Sequence, residues 1–121
     1  MKRSGTINVP IARKDNSIIE RIPSSNGDIA ITHYSVIKES ENISLVEIVL
    51  ETGRTHQIRV HCKYIGHPIL GDTLYGTQSD LISRQALHAH EIEFISPLTK
   101  KVVSFVAPIP DDMQTIIDQI S

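Results

Sequence analysis

The hydrophobic period of this chain changes partway along, and no other feature restricts the fold as strongly. In "AITHYSVIKE" and the residue before it, Ile29, Ile31, His33, Ser35 and Ile37 alternate with Ala30, Thr32, Tyr34, Val36 and Lys38. The run is rich in β-branched residues, so it predicts a strand. After the turn "SENI", "ISLVEIVLE" sets Val46, Ile48 and Leu50 on one face and Leu45, Glu47, Val49 and Glu51 on the other. The simplest pairing of the two runs is an antiparallel hairpin. Gly53 then breaks the strand, and "THQIRVHCKYIG" takes a helical period, with Ile58, Cys62 and Ile65 at i, i+4 and i+7. Thr55 is the expected N-cap, and Gly66 suits the left-handed position after the last turn. His56, Arg59 and Lys63, at i, i+3 and i+7, share a different face. A strand therefore runs through a glycine turn into a helix whose first turn has Arg54 and Arg59 on either side.

The rest of the chain adds strands on both sides of that helix. "TINVPIAR" predicts a short strand disturbed at Pro10, which has no N–H to donate. "PSSNGD" is a dense turn cluster, and "GHPILGDTLYG" is a loop with two glycine turns. "QALHAHEIEFIS" predicts a strand with His88 and His90 on one face, and "KVVSFVAP" predicts its partner across the turn "PLTKK". "PDDMQTIIDQI" predicts a short helix opened by Pro110 and Asp111, with Met113, Ile116, Ile117 and Ile120 as its apolar stripe. The expected class is α+β: a mainly antiparallel sheet, a central helix after a strand–glycine turn, and a short C-terminal helix. At 121 residues this is one small domain, long enough for a core without disulfides or metal.

Charge limits the partners. Twelve basic against fourteen acidic side chains leave a formal charge of −2, so the whole chain is not a basic nucleic-acid binder. Any attraction for phosphate must come from a local cluster, because exposed charges are screened over about 8 Å in physiological salt. The single cysteine, Cys62, can form no internal disulfide. No apolar run approaches the roughly 20 residues of a membrane span. "MKRSGTINVP" has no apolar segment behind its basic start, so a secretory signal is not expected. The expected location is the cytoplasm.

Arg54 and Arg59 lie where a helix N-terminus already attracts anions, and guanidinium forks match carboxylate or phosphate. Two readings stay open: an anion site (RNA or DNA phosphate, an acidic metabolite or a catalytic carboxylate), or arginines that are solvated or paired with Glu47 and Glu51. The spacings of His56, His61 and His67 miss the i, i+4 pattern of a helical metal site, and nothing in sequence completes a site around His88 and His90, so no metal is expected. Cys62, on the apolar stripe, reads as a buried structural thiol. There is no G-x-S-x-G elbow, P-loop or G-x-G-x-x-G. Asp72 follows Gly71 in a turn, where aspartate serves the backbone, and Tyr75 packs or stacks beside Gly76.

"ETGRTHQIRVHCKYIGHPILGDTLYG", Glu51 to Gly76, closely resembles the third motif region of the RluA-like pseudouridine synthases. "GTINVPIAR", "AITHYSVI", "RQALHAHEIEFISPLTKK" and "FVAPIPDDM" resemble the family's flanking segments, so the likeness covers nearly the whole chain. The resemblance implies an enzyme that isomerises uridine in RNA, breaking the N-glycosidic bond and rejoining the base through carbon, without metal or organic cofactor. It implies that Arg59, in Q-I-R, pairs with the essential aspartate, and that Ile58 packs against the target base. Arg54, His56 and Lys63 become the residues expected to meet RNA. The family's aspartate lies in an H-R-L-D-x-x-T-S-G-like motif, and this chain has none. The expectation is thus the C-terminal part of a catalytic domain, inactive alone, because Arg59 has no aspartate to orient. The other readings are a non-catalytic RNA-binding or interaction module on the same fold, and an acidic-metabolite binder. A sheet cut off from its other half should also expose an apolar face and an unpaired edge, favouring self-association.

Overall fold

The computed structural model describes residues 3–40, 43–76, 78–87, 91–95, 102–106 and 109–119. The order of elements is β1 (Ser4–Asn8), β2 (Ile11–Arg13), β3 (Arg21–Pro23), β4 (Ile31–Glu39), β5 (Ser44–Leu50), α1 (Gln57–Tyr64), β6 (Glu91–Ile95), β7 (Val102–Val106) and α2 (Asp111–Gln119). The α+β class is as expected, and every strand pairing among the described residues is antiparallel. These pairings build separate sheets, however, rather than one: β1-β4-β5, β2-β3 and β6-β7.

β4 is the centre of the larger sheet. It pairs with β1 from Ser4↔Ser35 to Asn8↔Ile31 and with β5 from Thr32↔Leu50 to Glu39↔Ser44. The register slips between Val36 and Lys38, so Ile37 forms a bulge and is exposed. The predicted strand across Pro10 is two strands, since the chain leaves the β1 ladder after Asn8 and re-pairs as β2 from Ile11. Beyond β2 the chain turns at residues 14–20 and returns as β3, a short hairpin with Arg13 opposite Arg21.

α1 starts one residue later than the sequence suggests. His56, not Thr55, is the N-cap, in the left-handed region at φ 57 and with no side-chain capping bond. Histidine is among the few non-glycine residues enriched there. The first turn is fastened by Gln57, whose Oε1 accepts the Arg54 N–H at 3.0 Å. At the other end Gly66 ends the helix as expected: it has φ +84, its N–H donates to the Lys63 carbonyl, and the His67 N–H donates to that of Cys62. That is the paired bonding of a glycine-terminated helix.

The buried face of α1 is also not the one expected. Gln57, Val60 and His61 are buried, whereas Ile58, Cys62 and Ile65 are only half-buried. α1 packs on β3 and β4, and at that contact polar side chains face inward because each has a partner. The Ile31 N–H donates to Thr52 Oγ1, and Thr52 Oγ1 donates to Gln57 Oε1 at 2.7 Å. Gln57 Nε2 donates to the Ile31 carbonyl and to Thr32 Oγ1. Thr32 and His61 Nδ1 are 2.7 Å apart, and His61 Nε2 reaches the Val9 carbonyl at 2.8 Å. His61 must donate from Nε2, because a carbonyl only accepts, so Nδ1 accepts the Thr32 hydroxyl proton. Buried polar groups satisfied this fully fix one register and leave no cost of unpaired desolvation.

Ile11, Ala30, Val60 and Tyr75 form the core around this network. The loop after α1 closes against it through Gly71, at φ +78, where a Cβ would lie 2.1 Å from the Arg84 carbonyl oxygen. In α2, Ile116 and Ile117 are buried as expected, and Ile120 lies outside the described residues.

Candidate functional site

The loop after α1 and the first turn of the helix meet at Arg59. Its Nε and Nη2 each donate to a carboxylate oxygen of Asp72 at 2.8 Å, a planar two-bond pair. The Asp72 side chain is fully buried, and that of Arg59 keeps 16% of its surface exposed. Asp72 Oδ1 also accepts the Leu74 and Tyr75 backbone N–H groups at 3.2 Å, so one carboxylate closes its own turn and clamps the arginine. Below the guanidinium lies the Tyr75 ring, with its centroid 5.0 Å from Arg59 Cζ. Tyr75 Oη accepts the Arg21 N–H at 2.8 Å and lies 2.7 Å from His56 Nδ1. The His56 ring meets Tyr75 edge-on.

Burial is the largest influence on the Asp72 carboxyl and pushes it up. Bonds from Arg59 and the backbone, with the arginine's charge, outweigh it and hold the group below its ordinary value. The Asp72 bond in turn raises Arg59. Burial lowers His56, and the cations Arg59 and Arg21 lower it further. A neutral His56 can take the Tyr75 hydroxyl proton on Nδ1, which leaves its Nε2–H edge for another partner. Cys62 is pushed up to about 11, first by burial and then by the Asp72 charge, so it stays a thiol.

These contacts settle which carboxylates the arginines meet within this chain. Arg59 pairs with Asp72, thirteen residues on, which fills its Nε–Nη2 edge, whereas the resemblance implies a partner in an H-R-L-D-like motif. Neither Arg54 nor Arg59 pairs with Glu47 or Glu51; Glu51 pairs with His33, and Arg54 Nε donates to the Ile29 carbonyl. The histidines also divide. His61 is a core fastener, His56 belongs to the arginine cluster, and His67 is exposed. His88 and His90 lie outside the described residues. Ile58 is half-buried beside Arg59, while Lys63 is exposed on the last turn of α1. The structure thus unites His56 and Arg59 on Tyr75, and among the described residues no side-chain hydrogen bond or ion pair joins Arg54 or Lys63 to them. Asp72 and Tyr75 are the site residues that the sequence underrates. Their i, i+3 spacing within a glycine-bounded turn indicates a backbone role, but nothing local links either of them to Arg59.

Arg59 Nη1 makes no hydrogen bond among the described residues, and it is not among the buried polar atoms left without a partner. A mounted cation with one accessible edge can hold an incoming carboxylate ionised and oriented. Among the described residues no group of three His, Cys, Asp or Glu side chains is placed for a metal, and no helix is long and apolar enough to cross a membrane.

A family model described as RNA pseudouridylate synthase matches residues 1–64, just over half of the chain. The chain belongs to that family. The uncharacterized RNA pseudouridine synthase YjbO of Bacillus subtilis (strain 168) is 50% identical over 113 residues, 93% of this chain and 40% of that protein. The ribosomal large subunit pseudouridine synthase D of Zymomonas mobilis is 41% identical over 127 residues, again 40% of its length. The solved structure of human RNA pseudouridylate synthase domain containing 1 superposes with a TM-score of 0.75 at 29% identity, over 88% of this chain and 49% of that one. The chain therefore spans about two fifths of the length of the curated pseudouridine synthases it matches.

Proposed function

We propose that this chain is the C-terminal part of the catalytic domain of an RNA pseudouridine synthase acting on uridine in rRNA or tRNA in the cytoplasm. The observation that carries the reading is Arg59, fixed by Asp72 and Tyr75 within the family's pattern and offering Nη1 to a second carboxylate. In this reading the essential aspartate comes from a segment outside these 121 residues. Nη1 keeps it ionised at the glycosidic bond, and Ile58 packs against the base, which must leave its stack to be reached. Arg54, Lys63 and the free edge of His56 meet the RNA backbone, positioning the strand without reading its sequence. No cofactor is needed.

One observation favours a second reading. Asp72 already neutralises the Arg59 charge and fills its Nε–Nη2 edge, as in a non-catalytic RNA-binding module on this fold. The two readings separate on rRNA or tRNA fragments assayed for pseudouridine. The 121-residue chain is expected to give none. A longer chain carrying an H-R-L-D-like segment is expected to turn over and to lose activity on Arg59→Ala. Robust product from the 121 residues alone would sink the half-site reading, and an inactive longer chain would favour the module.

A further inference from the structure

The β2–β3 hairpin and the glycine turn before α1 face each other across an open groove of about 430 Å³ lined by Arg13, Arg21, Asp28, Gly53, Arg54 and Thr55. Arg13 and Arg21 are directly opposite in the antiparallel register. Like charges in that position oppose strand pairing. Elsewhere Arg59 and Arg84 each have a carboxylate, but no salt bridge among the described residues reaches Arg13, Arg21 or Arg54. Arg54 is tethered by Nε to the Ile29 carbonyl and Arg21 by Nη1 to the Ile19 carbonyl, which orients both guanidinium groups without pairing them to a carboxylate. Asp28 is the one carboxylate lining the groove. Three cations lining one concavity, two of them tethered and two directly opposite in the hairpin, favour an anion there.

The groove lies beside the arginine cluster, sharing Arg21 with it. The backbone N–H of Arg21 donates to Tyr75 Oη, and the same tyrosine lies under Arg59. An extended polyanion in the groove would continue towards Arg59, whereas a small anion would use only one end. We propose that Arg13, Arg21 and Arg54 seat the phosphodiester backbone of the RNA strand whose target nucleotide faces Arg59. This rests on the function proposed above and adds Arg13 and Arg21, on the hairpin, to its RNA contacts.

The test is binding of a single-stranded, uridine-containing oligoribonucleotide to the 121-residue chain, followed by fluorescence anisotropy over a salt series. The triple variant Arg13→Gln, Arg21→Gln, Arg54→Gln is compared with an equal removal of charge elsewhere, Arg3→Gln, Lys38→Gln, Arg84→Gln. On a single strand, each phosphate that is no longer neutralised lowers the slope of log K against log salt by about 0.7, so the groove triple should lower it by about 2. The control triple should leave the slope near that of the parent. Circular dichroism checks the fold, and Arg13→Gln, which relieves the cross-strand repulsion, replaces the triple if the triple does not fold. Equal slopes for the two triples, absence of RNA binding by the parent, or equal competition by poly-glutamate would each overturn the inference. Pseudouridine content reads the proposed function separately. Unmodified RNA after treatment with the longer chain counts against that function, whatever the groove variants do.

Discussion

Asp72→Asn is the sharpest test of how Arg59 is held. The substitution keeps the shape of the side chain but makes one of its two oxygens an NH2 group. With the amide oxygen in the place of Oδ1, the bonds from Arg59 Nη2, Leu74 N–H and Tyr75 N–H survive, and the new NH2 faces Arg59 Nε–H, donor against donor. Removing one partner of a buried ion pair costs about 3–5 kcal/mol. Arg59 is 16% exposed and can recover water, so the low end applies, about 3 kcal/mol. With a urea m-value of about 2 kcal/mol per molar, the unfolding midpoint should fall by about 1.5 M. The gap should depend on pH with a definite sign. The folded Asp72 carboxyl lies below its ordinary value of 3.8, so its stabilisation is present above that pH and lost as pH falls through the folded value. The parent and Asp72→Asn should therefore converge in strong acid. A double-mutant cycle with Arg59→Met isolates the pair and should show a coupling of about 1.5 kcal/mol or more. A midpoint within a few tenths of a molar of the parent, or additive effects in the cycle, would refute the clamp.

Two further outcomes follow from the fold. Burial lowers His61, against the bond to Val9, so the folded histidine takes a proton less readily than the unfolded chain does. Stability is then complete above pH 6.5 and falls as the pH drops below it; an NMR titration of His61 with a midpoint at or above 6.5 would contradict the neutral Thr32–His61–Val9 bridge. Among the described residues β5 is an unpaired edge, with Val49 58% exposed. Concentration-dependent association in sedimentation, reduced by Val49→Lys, is the expected behaviour, and a parent that stays monomeric at high concentration removes the self-association reading.

Much of the architecture was legible because period and punctuation act locally. The alternation in β4 and β5 reports a sheet with two unlike faces, and Gly66 marks the end of α1 because few other residues take that backbone angle cheaply. Two local rules failed where distant partners decided. Thr55 looks like an N-cap, yet Gln57 fastens the turn to Thr52 and to strand β4. Ile58, Cys62 and Ile65 look like the core stripe, yet the inward face carries Gln57 and His61, because Thr32 and the Val9 carbonyl stand opposite with complementary hydrogen-bonding groups. An apolar pattern cannot signal a buried face whose side chains are polar and fully bonded.

By itself the sequence determined the α+β class, the strand–glycine–helix unit and the likeness to pseudouridine synthases, and that likeness drew attention to Arg59, all within short segments. Only the tertiary structure decided what Arg59 holds and which arginines share a groove. Asp72 reaches Arg59 because the Gly71 turn folds the loop back over α1, and Arg13 and Arg21 face Arg54 because the hairpin packs beside the turn. Those encounters join residues far apart in the chain. Their energy depends on burial and on the geometry of the hydrogen-bonding partners, and neither is a property of any one segment.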